Sequence, residues 1–125
     1  MSNLLEFNAY DEIDIIVKRG VTISMEITFY NNSGAEEDLS GWSWRWTVKD
    51  KAGGDTWIEK YTGGGGITVS GGTVTVPVSA SDTRGAVGKR GKHDILGRNS
   101  DGSEIICPFE GDITFEDTIS AEPPS

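Results

Sequence analysis

The chain has one histidine and one cysteine in 125 residues, and that scarcity removes most chemistry before any motif is considered. A lone Cys107 cannot close an intramolecular disulfide. Zinc needs three or four Cys, His or carboxylate ligands, and His93 with Cys107 is a poor start, so no metal site is expected. Any Ser-His-Asp or Cys-His device would have to use His93, and no G-x-S-x-G elbow is present. The glycine run at residues 63–66 lacks the following Lys-Ser/Thr of a phosphate loop. Basic residues are in deficit: 11 Lys and Arg against 20 Asp and Glu give a net charge of -9. That balance disfavours a nucleic-acid backbone or an anionic membrane surface as partner. No apolar run approaches the ~20 residues of a membrane-spanning helix. The N-terminus lacks a signal peptide's charged start and apolar stretch, so synthesis and first folding in a cytoplasm are expected. The same inventory predicts no enzyme, no cofactor and no small-molecule ligand.

What the chain has in excess is glycine, with 17 residues, about twice the usual ~7% share. The glycines fall between apolar stretches, where turns belong, and follow no three-residue period. The stretches themselves alternate. Across residues 21–29 every odd position is apolar and every even one polar, the signature of a strand with one buried face. Trp42, Trp44, Trp46 and Val48 repeat that pattern, with Ser43, Arg45 and Thr47 on the other side. Further strands are expected at residues 13–17, 56–61, 67–69, 73–78, 89–98 and 105–115, with a hairpin at Ser70, Gly71 and Gly72. Pro77 should end its strand or lie at an edge. Along residues 105–115, Ile105, Cys107, Phe109, Ile113 and Phe115 share the apolar parity, and Pro108 and Gly111 suggest a bulge or edge. Residues 79–84 form the one plausible helical turn, with Ser79 and Asp82 spaced as a capping box. The expected fold is all-β: an antiparallel, immunoglobulin-like β-sandwich of seven to eight strands with one short helical turn. A single domain spans residues 1–118, and residues 119–125 form a C-terminal tail.

Candidate contact residues follow from parity and charge. Three tryptophans on the apolar parity read as core rather than as a sugar-stacking platform, because an exposed three-Trp stripe would be adhesive. Trp57 is open: if Ile58 points inward, Trp57 and Tyr61 form an exposed aromatic pair. Cys107, on the apolar parity, reads as a small hydrophobe. Arg84, Lys89, Arg90, Lys92 and Arg98 are opposed only by Asp94 between positions 84 and 98. That basic stretch is either a solvated loop or a docking patch for an acidic partner or a second copy of the chain. Trp57, Tyr61, Lys89, Arg90 and Lys92 are therefore the candidate partner-contact residues. Paired catalytic carboxylates are not expected, since most Asp and Glu fall on polar parities or in turns. Asn99 to Glu104 lacks the spacing of a calcium loop.

An ordered set of short motifs adds a family expectation. Asp38-Leu-Ser-Gly-Trp42, Val48-Lys-Asp50, Gly65-Gly-Ile-Thr-Val69, Gly71-Gly-Thr-Val-Thr-Val76, Ser79-Ala-Ser-Asp-Thr83, Asp101-Gly102 and Glu110-Gly-Asp-Ile-Thr-Phe115 follow one another along the chain. Together they resemble the N-terminal domain of phage baseplate upper proteins and related prophage tail-module structural proteins, over roughly residues 10–117. Two departures stand out: nothing follows the closing strand except a short tail, and residues 84–95 are more basic and glycine-rich than the family's aromatic strand. The resemblance implies a non-enzymatic virion structural protein, localised to the tail, that contacts other virion or tail proteins or copies of itself. The alternative is a carbohydrate-binding or adhesin-like module using exposed aromatics.

Overall fold

The computed structural model describes residues 11–51, 53–85, 90–121 and 123–124. Lys89, one of the candidate contact residues, lies outside them. The described chain runs β1 (Asp11–Glu12), β2 (Ile15–Lys18), β3 (Ile23–Thr28), β4 (Ser43–Lys49), β5 (Thr56–Tyr61), β6 (Thr68–Ser70), β7 (Thr73–Val78), α1 (Ala80–Arg84), β8 (Arg90–Arg98) and β9 (Ile105–Glu116). Two sheets form. The larger has the order β1-β9-β8-β4-β5, with β2 also paired to β9; the smaller has the order β3-β7-β6. This is the expected all-β, two-sheet architecture, with one five-residue helix closed by the expected capping box of Ser79 and Asp82.

The polar alternation seen in the sequence is what allows two sheets to face each other. Trp42, Trp44, Trp46 and Val48 are buried from the large sheet, and Val74, Val76 and Val78 are buried from the small one. Trp44 stacks on Phe29 at 5.2 Å and on Trp42 at 5.8 Å, so large rings fill the space that a disulfide spans in other sandwiches. The partner of Trp44 on β8 is a glycine. Trp44 pairs with Gly97 across the strands, and a Cβ on Gly97 would lie 2.4 Å from the Trp44 ring. The glycine run at residues 63–66 serves backbone shape instead: three of the four have positive φ, at 84°, 116° and 99°, which side chains rarely tolerate.

Three expectations are corrected and one is narrowed. The sheets are not purely antiparallel, because β1 and β2 run parallel to β9. Nine strands appear among the described residues, not seven or eight, partly because the first is broken at Ile13 and Asp14. Pro77 takes the second of its two expected places, a local edge: β7 continues through it to Val78, and among the described residues only β3 lies alongside there, since β6 reaches no further than Thr75. The parity of β9 slips. Ile95 pairs with Phe109 but Gly97 with Ile106, so β9 carries one extra residue around Cys107 and Pro108. Past that bulge Ile106, not Ile105, packs on the core, and Ile105 is 66% exposed.

Gly97 offers a direct test of the ring-on-glycine packing. Its backbone is not in the left-handed region, so Ala would ordinarily stabilise by restricting the unfolded chain. Here the added methyl meets an aromatic ring already wedged between two others. Gly97→Ala is expected to destabilise by about 1–3 kcal/mol, read by urea unfolding with tryptophan fluorescence.

Candidate functional site

The single histidine and the single cysteine are both held by hydrogen bonds within the fold. His93 lies on the inner face of β8 and is 3% exposed. The Trp46 indole Nε1–H donates to its Nδ1 at 3.2 Å, and its Nε2 sits 2.7 Å from the Ile13 carbonyl oxygen. An indole nitrogen can only donate, so Nδ1 is the acceptor and Nε2 carries the proton given to Ile13. The ring is therefore neutral, with a fixed tautomer. Burial pushes its pKa below the usual histidine value, and the Ile13 carbonyl and nearby carboxylates only partly oppose that. Gly111 makes the contact possible: it pairs with His93, and a Cβ there would lie 2.2 Å from the Ile13 oxygen.

The Cys107 thiol is half-buried at the β9 bulge, and its Sγ donates to the Phe109 carbonyl at 3.5 Å. Burial, then the charges of Asp94 and Glu110, push its pKa up. Thiolate formation is disfavoured, and with it nucleophilic reactivity. Cys107 does not join the core cluster, so its expected role as a core hydrophobe is corrected by the same bulge.

The outer face of the large sheet is what remains, and its register sorts it into bands. One row holds Tyr61, Arg45 and Leu96 on β5, β4 and β8. Beside it, Arg98 pairs with the exposed Ile105. The next row is acidic: Glu59, then Thr47, Asp94, Glu110 and Glu12 on successive strands. The row after that holds Lys49, Lys92 and Asp112. A groove of about 550 Å³ runs over these rows, with Lys49, Lys92, Asp94, Leu96 and Glu110 among its walls. The pKa of Asp94 is pushed up, first by burial and then by Glu110 directly across the strands. Among the described residues no group of three or more His, Cys, Asp or Glu is placed to hold a metal ion.

The candidate contact residues separate. Arg90 and Lys92 both bind the Asp112 carboxylate, which they hold below the usual carboxylate range, so neither is a bare positive patch. Tyr61 is exposed, with the Arg45 guanidinium 5.0 Å above its ring and Glu59 2.9 Å from Arg45. Trp57 is corrected. Ile58 does point inward, but Val48 pairs with Ile58 and Lys49 with Thr56, which makes Trp57 the extra residue of a β-bulge. A bulge sets two successive side chains toward one face. Trp57 accordingly packs on the core, edge-on to Phe115 at 6.1 Å and over Gly91, and forms no exposed pair with Tyr61. Leu96 and Ile105 were not singled out as contact residues from the sequence; the regular alternation of β8, with Ile95 and Gly97 inward, turns Leu96 outward, and the β9 bulge turns Ile105 outward. The chain matches no protein-family model and no curated protein.

The His93 geometry fixes a pH dependence. The unfolded chain binds a proton at His93 near pH 6.5, whereas the folded chain resists it. Stability is therefore fully present above about pH 6.5 and falls as pH drops below it. Urea midpoints measured from pH 8 down to 5.5 should decline for the wild type. His93→Gln should be less stable at pH 8 yet nearly flat over that window; an unchanged slope would contradict the buried neutral ring.

Proposed function

We propose that this chain is a non-enzymatic virion structural module of the tail or baseplate, acting through protein–protein contacts with other tail proteins or copies of itself. The observation that carries the reading is the partition just described: the histidine is built into the protein interior and the half-buried thiol is held by a backbone carbonyl, while the outer face of the large sheet presents Tyr61, Leu96 and Ile105 between charged rows. Exposed apolar residues rimmed by charge suit docking rather than catalysis.

The motif order gives independent support, because the motifs fall on structural junctions. Asp38 to Trp42 leads into β4, Gly71 and Gly72 join β6 to β7, and Ser79 to Thr83 caps and forms α1. The strand order also supports an immunoglobulin-type sandwich: β9-β8-β4 corresponds to strands G-F-C, with β5 added at the edge as in variable-type domains, and β3-β7-β6 to B-E-D. The carbohydrate-binding alternative loses its main motive, since Trp57 turns inward and leaves Tyr61 without an aromatic partner among the described residues.

The test is the protein content of purified tail particles from a host carrying the gene. The wild-type chain should be found in them. Leu96→Asp should be lost from particles while keeping the wild-type far-UV circular dichroism. Absence of the wild-type chain from the particles would overturn the reading.

A further inference from the structure

The four sheet edges are not alike. A strand edge presents unpaired N–H and C=O groups, and soluble proteins blunt such edges with bulges, charges, breaks or short length. In the large sheet, β5 carries the Trp57 bulge together with Glu59 and Lys60, and the opposite edge is broken between β1 and β2 and carries Lys18. In the small sheet, β6 is three residues long. The remaining edge, β3, is six residues of unbroken register with β7, with no proline and one charge, Glu26. Among the described residues no strand pairs with its other side.

The chemistry of β3 selects its partner. The Phe29 N–H donates to the Gly72 carbonyl of the neighbouring hairpin, so alternation turns the backbone groups of Ser24, Glu26 and Thr28 away from β7. The inward side chains Ile23, Met25 and Ile27 pack on the core yet are only partly covered, as an apolar row at an open edge would be. We propose that β3 is a self-association edge, pairing antiparallel with β3 of a second copy across a two-fold axis at Met25. That register sets Ser24 opposite Glu26 of the partner subunit, with outward-facing backbone groups meeting outward-facing ones. Shifting it by one residue on each strand would oppose two Glu26 carboxylates, which like-charge repulsion disfavours. The result is a continuous six-stranded sheet built from two small sheets, closed by symmetry. The inference rests on the assembly reading for its biological role and names one partner in it, a second copy of this chain.

Sedimentation velocity of the isolated protein over about 1–500 μM, the range of weak transient interfaces, reads the pairing directly. The wild type should shift from monomer toward dimer. Ser24→Lys places a lysine opposite Glu26 of the partner subunit and should tighten the dimer about fivefold. Adding Glu26→Lys to Ser24→Lys opposes two lysines at each end and should return the protein to monomer, with circular dichroism unchanged. Glu26→Pro should also give a monomer, since the lost N–H faces away from β7. If that variant unfolds, the lysine pair decides alone. A wild type that stays monomeric throughout, or a dimer indifferent to both lysine variants, overturns the proposal. Neither outcome bears on the presence of the chain in tail particles, so the two readings fail separately.

Discussion

The chain from the Trp46 indole through His93 to the Ile13 carbonyl ties together three parts of the protein that are distant in sequence. Trp46 belongs to β4, His93 to β8, and Ile13 to the stretch between the two N-terminal strands. Each polar atom involved is buried or nearly so, and each finds its partner. A buried polar group without a partner costs about 1–3 kcal/mol. This arrangement removes that penalty from the tryptophan indole and from both ring nitrogens at once. It also explains the break between β1 and β2. The backbone arcs over Gly111 so that the Ile13 carbonyl can face the histidine, and Ile13 N–H and Asp14 Oδ1 bind the Glu110 carbonyl and the Asp112 N–H on either side. The smallest residue of β9 sits where the chain crosses.

The same logic of rings over glycines runs along β8. Gly91, Gly97 and, across the strand, Gly111 leave room for Trp57, Trp44 and the Ile13 backbone respectively. A sandwich without a disulfide needs another way to set the spacing of its sheets, and here stacked tryptophans set it. The protein carries net charge -9, yet its outer face is not uniformly acidic. Positive side chains are held by neighbouring carboxylates, as Arg90 and Lys92 are by Asp112 and Arg45 by Glu59. Exposed ion pairs of this kind add little stability. Their effect is to shape which partner surface fits.

Most strands were legible because period two is a strong signal when one face is buried. Residues 21–29 and the Trp42–Val48 alternation both appear as strands where the pattern set them, and the capping box of Ser79 and Asp82 forms with both reciprocal hydrogen bonds. What stayed hidden came from bulges and from contacts distant in sequence. One extra residue in β5 turned Trp57 inward, and one in β9 put Ile105 into solvent. Parity counting assumes an unbroken ladder, so every prediction beyond a bulge inverts. The direction of β1 and β2 was equally hidden, because a parallel pairing across about a hundred residues leaves no local trace. The burial of His93 was hidden as well, since its two partners come from different strands.

The Trp46–His93 hydrogen bond is the interior joint of the fold, and exchange of the indole protons with solvent tests this most directly. If the joint holds, the Trp46 Nε1 proton should exchange only through global unfolding, with a protection free energy equal to that from urea denaturation. A Trp46 indole proton that exchanges far faster than the most protected backbone amides of β4 and β8 would show that the joint opens on its own, and would contradict the account.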